Sequence, residues 1–199
     1  MMKIGILGGS FNPPHLGHLY IAQKVYEEFS MDAVLLLPLG TPPHKGKLAS
    51  RKAREVMCRL TAQAGTGIKV STMELERDGY TYTVDTLRQL KREQPLYEPY
   101  YIIGTDTLFR LESWREYEQV LQLTEFICVP RPGDDMQAVQ QKIMYFKQQY
   151  GKEIRLCSHS GPQISSTEIR EAVTHGQSTE GMLVPAVRAY IDEEKLYAD

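Results

Sequence analysis

Short apolar runs alternate with segments of helical periodicity along the whole chain, and this alternation constrains the fold more than any other feature. The apolar runs lie at 3–7, 33–39, 68–75, 100–103, 126–129 and 154–157. Apolar positions recur at helical spacing in 16–29, 50–64, 83–91, 113–121, 136–149, 166–175 and 185–196. Short, continuously apolar strands between helices are typical of a parallel sheet covered on both faces. The sequence therefore predicts an α/β fold, a doubly wound parallel sheet whose ligands bind beyond the carboxyl ends of the strands.

Size and charge narrow the class of protein. The chain has 199 residues, which is enough for one domain with a sizeable core. A formal net charge of -2 is unlike the basic surface of a nucleic-acid-binding protein, so a local cluster must hold any anionic ligand. Cys58, Cys128 and Cys157 lack the spacing of a metal site or a redox pair, and core packing is expected for Cys128 and Cys157, which lie in apolar runs. The sequence has neither a signal-peptide layout nor an apolar run of membrane-spanning length, which favours a cytoplasmic protein without a membrane partner.

Two glycines, Gly8 and Gly9, follow the first predicted strand and open a loop that leads into a helix near residue 16. Glycines let the backbone turn sharply and approach a ligand closely, and a helix N-terminus favours an anion. His15 and His18 are three positions apart, so both imidazoles are expected on one side of the helix start, where they suit a phosphate. Either histidine alone would be read as an ordinary helix-start residue. The loop lacks the Gly-Lys-Ser/Thr of a P-loop and the glycine spacing of a dinucleotide fingerprint, which argues against a kinase-type cradle and a dehydrogenase.

A second candidate anion site lies at 164–170, where the sequence reads ISSTEIR. Ser165 or Ser166 can cap the helix that follows, and Arg170 falls within its first turns. Hydroxyl groups at a helix start beside a guanidinium suit a phosphate. Taken alone, the pattern fits a simple cap with a surface arginine even better.

Together the two runs resemble the paired motifs of the nucleotidyltransferase superfamily, in which a glycine, a Phe and a Pro precede His-x-Gly-His and an Ile-Ser-Ser-Thr-x-Ile-Arg follows later. The resemblance covers nearly the whole chain and implies a Rossmann-like nucleotidyltransferase fold: one domain over 1–199, with C-terminal helices from about 165. It implies that His15 and His18 contact ATP phosphates and stabilise charge during transfer, while the second motif binds the β and γ phosphates. Asn12 stands where many members have Asp. The ATP-binding residues implied are Gly8, Gly9, Ser10, Phe11, His15, His18, Gly104, Asp106, Ile164, Ser165, Ser166, Thr167 and Arg170.

The middle of the chain resembles one branch of that superfamily, the bacterial nicotinate-mononucleotide adenylyltransferases. The run Pro42-Pro43-His44-Lys45 matches the Pro-Pro-His-Lys motif of this branch and implies that His44 and Lys45 contact the substrate phosphate. The run at 80–87 is a second mark, and it implies that Thr83 helps to bind the nicotinate carboxylate, beside its expected role as N-cap of the following helix. The substrate-binding residues implied are His44, Lys45, Thr83, Thr105, Trp114, Arg115 and Tyr117, with Trp114 stacking on the pyridine ring.

The resemblance implies a reaction in which the phosphate of nicotinate mononucleotide attacks the α-phosphorus of ATP. The catalytic residues implied are His15, His18 and Lys45, which would position the substrates and stabilise charge in the transition state. Mg²⁺ is expected on the ATP phosphates, with few or no protein ligands, so no metal-binding residue is assigned. The alternatives are nicotinamide mononucleotide or phosphopantetheine as acceptor, or a nucleotide sensor without catalysis. The sequence leaves a homo-oligomer open.

Overall fold

The computed structural model describes residues 1–41 and 48–198. Within them, six strands form one parallel sheet in the order β3-β2-β1-β4-β5-β6. Their bounds are Met2–Gly9 (β1), Ala33–Pro38 (β2), Ile68–Val70 (β3), Tyr97–Gly104 (β4), Glu125–Val129 (β5) and Ile154–Leu156 (β6). The predicted doubly wound parallel sheet is confirmed. The strand order reverses between β1 and β4, and this switch point is where open α/β sheets form a ligand crevice.

Helices connect the strands and follow them at the C-terminal end of the described chain. Their bounds are Leu16–Glu28 (α1), Arg51–Gln63 (α2), Thr83–Glu93 (α3), Thr105–Arg110 (α4), Tyr117–Leu123 (α5), Met136–Tyr150 (α6), Ser166–Thr174 (α7) and Pro185–Glu193 (α8). A 3-10 turn, Leu111–Ser113, joins α4 to the segment before α5. None of the helices in the described ranges is long and apolar enough to cross a membrane.

The two faces of the sheet are buried under different helices. Ile4 and Ile6 of β1 point into a core that contains residues of α3, α5 and α6, whereas Leu7 points into a core with residues of α1 and α2. This alternation is the period of a strand, and it explains why the apolar runs are continuous: both faces are covered. A third apolar cluster packs α7 and α8 against α2 through Met57, Ile169 and Val187, among others. The three cysteines are buried and unbridged, as expected of core residues.

The structure corrects three local predictions. The strand predicted at 68–75 ends at Val70, and a turn follows. The single helix predicted at 113–121 is wrong at its start, because α4 begins directly after β4 and Trp114 lies in the extended link before α5. Thr83 was expected to cap α3, but Tyr82 occupies the N-cap in extended conformation and Thr83 is the first helical residue. Ser50 and Ser165 do cap α2 and α7, each accepting a backbone hydrogen bond.

Candidate active site

A cavity of about 820 Å³ opens at the carboxyl ends of β1, β4 and β5, and the N-termini of α1 and α7 reach into its wall. Ligand-binding pockets commonly have volumes of this size. The two sequence motifs, about 150 positions apart, meet here: Ser166 Oγ donates a hydrogen bond to the backbone carbonyl of Pro13 at 2.8 Å. The predicted site residues that line the cavity are Gly8, Gly9, His15, His18, Thr83, Gly104, Asp106, Trp114, Ile164, Ser165 and Ser166.

The remaining predicted residues divide into two groups. His44 and Lys45 lie outside the described residues. Ser10, Phe11, Thr105, Arg115, Tyr117, Thr167 and Arg170 are described but do not line the cavity. Several of these residues hold the segments that form the cavity wall and do not face the cavity themselves.

His15 and His18 form a stacked pair at the start of α1. Their ring centroids are 3.7 Å apart, and the backbone N–H of His15 donates to His18 Nδ1 at 3.2 Å. Because Nδ1 accepts this bond, a neutral His18 carries its proton on Nε2, the tautomer that this contact assigns. Phe11 packs its ring edge-on against His18 with centroids 4.8 Å apart. The imidazole of His18 is thus held in one orientation at the cavity wall.

Burial changes the protonation of His15. The residue is 7% exposed, and the loss of solvation lowers its pKa from 6.5 to about 4, although Glu168 opposes the shift. Its Nδ1 atom is buried without a hydrogen-bond partner among the described residues. A Cβ atom placed on Gly17 would lie 2.9 Å from that Nδ1, too close for a side chain. The glycine between the two histidines therefore makes room for the neutral imidazole of His15.

Asn12 ties the first loop to three other segments. Its Oδ1 accepts from the backbone N–H of Ala49 and from the hydroxyl of Tyr197, both at 2.9 Å. Its backbone carbonyl accepts from Arg170 Nη1, also at 2.9 Å. Arg170 further donates to Thr167 Oγ1 at 3.2 Å, so both residues are engaged behind the cavity wall. Within 1–41 and 48–198 the side-chain hydrogen bonds of Asn12 use its acceptor oxygen, which an amide supplies as well as a carboxylate.

A single arginine holds the backbone of the first two loops. Arg54 of α2 is 1% exposed and has no carboxylate partner among the described residues. Instead its guanidinium donates to the carbonyls of Ser10, Leu39, Gly40 and Ala49 over 2.6–3.2 Å. Desolvation lowers the pKa of the guanidinium. Sequence reasoning missed this residue, because nothing in its local pattern distinguishes it from a surface arginine of a helix.

An aromatic wall stands on the side of β4 and α3. Tyr101 contacts Trp114 edge to face, with centroids 5.6 Å apart, and burial raises the pKa of its hydroxyl. A side chain on Gly8 would collide with the Tyr101 hydroxyl, so Gly8 admits this tyrosine to the wall. The exposed ring face of a half-buried tryptophan suits a flat heteroaromatic ring. In the sequence, Tyr101 is only one residue of a predicted apolar strand.

Two predicted neighbours of Trp114 point elsewhere. The guanidinium of Arg115 lies over the ring of Tyr82, 4.6 Å from its centroid, and Tyr117 contacts the hydroxyl of Tyr150 at 3.3 Å. These contacts hold the segment that carries Trp114, which is a supporting role.

The third wall lies at the ends of β4 and β5. Thr105 is buried and donates from Oγ1 to Asp134 at 2.7 Å, so its hydroxyl is occupied inside the protein. Asp106 and Arg131 both line the cavity and form an ion pair at 3.3 Å, with both side chains more than half exposed. Exposed pairs of this kind are weak and can exchange partners with a ligand. Arg131 has no counterpart in the predicted site.

The described side chains around the cavity do not form a metal-binding site by themselves. Among residues 1–41 and 48–198 no group of three His, Cys, Asp or Glu side chains could hold a metal ion. Asp106 supplies a carboxylate in the cavity. One carboxylate together with substrate phosphates is the usual environment of Mg²⁺, so the residues fit an ion that arrives on a nucleotide.

The chain is similar to known proteins over most of its length. Residues 6–172 match the family described as cytidylyltransferase-like. A relative from Lachnoclostridium phytofermentans is 37% identical over 99% of this chain and 100% of its own, and one from Desulfitobacterium hafniense is 36% identical over 98% and 95%. Both are named probable nicotinate-nucleotide adenylyltransferase.

A solved structure shares the fold at lower identity. The nicotinic acid mononucleotide adenylyltransferase of Plasmodium falciparum complexed with NaAD superposes with a TM-score of 0.81 at 22% identity, covering 99% of this chain and 98% of the other. This likeness confirms the Rossmann-like nucleotidyltransferase fold. By its family match and its full-length relatives, the chain belongs to the cytidylyltransferase-like family, within the nicotinate-nucleotide adenylyltransferases.

Proposed function

We propose that the cavity at the ends of β1, β4 and β5 is where the chain carries out the reaction of its family. That reaction transfers an adenylyl group from ATP to nicotinate mononucleotide, giving nicotinate adenine dinucleotide and pyrophosphate. The observation that carries the assignment of the site is the meeting of the two motifs in one cavity: His15 and His18 on one wall, Ser165 and Ser166 on another. Two anion-binding helix starts facing one space suit a polyphosphate.

The bond changes need little covalent chemistry from the protein. An oxygen of the mononucleotide phosphate forms a bond to the α-phosphorus of ATP. The bond between that phosphorus and the oxygen that bridges the α and β phosphates breaks. Pyrophosphate leaves with the electron pair. The attacking oxygen is already ionised at neutral pH, so no side chain has to remove a proton. Catalysis then consists of alignment and of stabilising the charge on the phosphorus centre.

His18 is the residue that we assign to the α-phosphate. Its ring orientation is fixed by the backbone of His15 and by Phe11, which leaves Nε2–H as its donor. A donor that is already oriented costs no reorganisation when charge develops, and such donors contribute about 3–4 kcal/mol each. His15 acts beside it as a neutral imidazole, because burial holds its pKa at about 4.

The leaving pyrophosphate is assigned to the start of α7. Ser165 caps the helix, with Glu168 accepting from the Ser165 N–H at 3.1 Å in return. Ser166 lines the same wall. Thr167 and Arg170 belong to this group in our proposal, but Arg170 has to turn from the carbonyl of Asn12 to reach a phosphate. Mg²⁺ bound to the ATP phosphates would neutralise charge on the polyphosphate.

The acceptor nucleotide is assigned to the aromatic wall. Trp114 would stack on the pyridine ring and Thr83, with the N-terminus of α3, would bind the carboxylate. His44 and Lys45 are proposed to reach the acceptor phosphate, and Gly104 and Asp106 to contact the adenosine. In the same proposal the whole of 1–199 is a single catalytic domain of the cytoplasm. It acts on small molecules, without nucleic acid or membrane.

Release of pyrophosphate from ATP and Mg²⁺ tests this function when nicotinate mononucleotide and nicotinamide mononucleotide are offered in parallel. Rapid release with the acid and little with the amide is expected. A preference for the amide would keep the mechanism and contradict the assignment of Thr83 and Trp114. If pyrophosphate is released with neither mononucleotide but with phosphopantetheine, the acceptor of the reaction is phosphopantetheine. If the protein binds ATP but releases no pyrophosphate with any acceptor, it is a nucleotide sensor. Light scattering of the same sample gives the oligomeric state.

A further inference from the structure

The last turn of the described chain reaches back to the first loop of the proposed ATP site. Tyr197 donates its hydroxyl hydrogen to Asn12 Oδ1 at 2.9 Å, across 185 positions of sequence. Asn12 follows Phe11, which packs on His18, and precedes Pro13, whose carbonyl accepts from Ser166. Both chain neighbours of Asn12 therefore contact residues that line the cavity: Phe11 contacts His18, and Pro13 contacts Ser166.

The backbone at Tyr197 is held in a conformation that a bulky residue seldom adopts. Its φ is 65°, in the left-handed region, and such conformations persist only where other contacts impose them. Two hydrogen bonds of the residue itself do so: Thr174 Oγ1 donates to the carbonyl of Tyr197 at 2.9 Å, and the Tyr197 hydroxyl donates to Asn12 Oδ1.

The surroundings of the hydroxyl keep it a donor. Burial raises the pKa of Tyr197, while the guanidinium groups of Arg54 and Arg170 lie close enough to oppose the shift. The two lone pairs of Asn12 Oδ1 are both used, one by Tyr197 and one by the backbone N–H of Ala49. Loss of the tyrosine hydroxyl leaves a partly buried amide oxygen with one partner, beside the carbonyl that holds Arg170.

We propose that Tyr197 is a positioning residue for ATP: through Asn12 it fixes the loop between Phe11 and Pro13. The proposal rests on the proposed function, since it assigns this loop to the ATP phosphates. Tyr197 itself touches no substrate. Its effect should appear in the affinity for ATP and much less in the affinity for the mononucleotide, whose assigned wall lies on the other side of the cavity.

The test is steady-state kinetics of wild type, Tyr197→Phe and Tyr190→Phe, with each substrate varied in turn. Tyr190 packs in the same C-terminal cluster, and its replacement removes a hydroxyl that makes no contact with Asn12. In Tyr197→Phe the KM for ATP should rise about fivefold to tenfold, the usual effect of one lost hydrogen bond. The KM for nicotinate mononucleotide should stay within about twofold, and Tyr190→Phe should match wild type.

Three outcomes are distinguishable. An unchanged KM for ATP in folded Tyr197→Phe overturns the proposal, and so does a fall in kcat with both KM values unchanged, which would show a structural role alone. Absence of pyrophosphate release in wild type itself would instead contradict the proposed function. Thr174→Val removes the bond to the Tyr197 carbonyl without altering the tyrosine. If Tyr197→Phe does not fold, Thr174→Val carries the test, with about a twofold to threefold rise in the KM for ATP expected and an unchanged value overturning the proposal.

Discussion

The backbone N–H of His15 donates to Nδ1 of His18 at 3.2 Å, so one histidine of the pair sets the tautomer of the other. The pair spans a single helical turn, with His15 at the N-cap and His18 three residues later. A capping position is usually filled by Ser, Thr, Asp or Asn. Here His18 accepts the N–H of the N-cap residue, as Glu or Gln does in a capping box, and both imidazoles lie at the cavity wall. This arrangement leads to the first prediction.

Replacing His18 by alanine should lower kcat by about 100-fold to 1000-fold, because an oriented donor to the α-phosphate lowers the barrier by roughly 3–4 kcal/mol. Pyrophosphate release at saturating substrates measures the effect. His175→Ala is the matched control, since His175 lies exposed at the end of α7 and away from the cavity. Near-normal turnover of His18→Ala would remove His18 from the mechanism.

Gly17→Ala should reduce activity without stabilising the protein. In a helix, alanine is normally more favourable than glycine by about 0.8–1 kcal/mol. At Gly17 the new Cβ would meet His15 Nδ1 at 2.9 Å, and the stacked imidazole of His18 restricts any movement of that ring. We expect a loss of at least tenfold in kcat/KM, about 1.4 kcal/mol, with no rise in the midpoint of thermal unfolding. A more stable variant with full activity would show that His15 moves freely.

His15 should make stability fall on acidification. Its pKa is about 4 in the folded protein and near 6.5 when unfolded, so the unfolded chain binds the proton more readily. The contribution of the neutral His15 to the free energy of unfolding is fully present above pH 6.5 and is lost as the pH falls towards 4. The total loss is about 3 kcal/mol at most. Urea unfolding of wild type and His15→Gln at pH 7 and pH 4.5 measures it. The free energy of unfolding should fall more in wild type, and equal falls would contradict the neutral buried imidazole.

Trp114 gives a direct signal for the acceptor site, because it is the only tryptophan in the sequence. Its ring lines the cavity beside Tyr101, so a stacked pyridine should quench its fluorescence as nicotinate mononucleotide is titrated. In Trp114→Leu the KM for the mononucleotide should rise about fivefold, near 1 kcal/mol, while the KM for ATP serves as the internal control. Quenching by ATP alone would place the adenine at this wall.

Arg54→Lys should destabilise the protein by about 3 kcal/mol. A lysine presents one ammonium group and cannot reach four carbonyls, so a buried charge would be left with too few partners. Arg59→Lys is the control on the same helix, where a half-exposed side chain pairs with Glu55. Urea unfolding compares the two, and equal stabilities would mean that the carbonyls of Ser10 and Gly40 need no guanidinium.

The elements that sequence predicts well are those that are buried on both faces. Ile4, Ile6 and Leu7 must all be apolar because helices cover each side of β1, and the resulting run is visible without a structure. Helix α4 was missed because six residues are too few to show a helical period, and it begins at once after β4. The cap of α3 was misassigned because Tyr82 takes the extended conformation before the helix, so that Thr83 faces the cavity wall instead.

The site divides in the same way. His15, His18, Ser165 and Ser166 were predicted to bind ATP from local motifs, and the structure brings them to one cavity, although their roles remain predictions. Contacts between distant segments leave no local pattern. Tyr101 lies in an apolar strand, so its contact with Trp114 has no sequence signature.

The position of β1 in the sheet has a consequence for the synthesis of the protein. Met2 pairs with Tyr97, 95 positions later, so β1 lacks one neighbour until β4 has been synthesised. At 5–20 residues per second the delay is about 5–20 s. During it the loop with the two histidines has neither the wall formed by β4 nor that formed by α7. Nucleotide therefore cannot stabilise the segment from β1 to α3 before β4 is made, and ligand can assist only the later steps of folding.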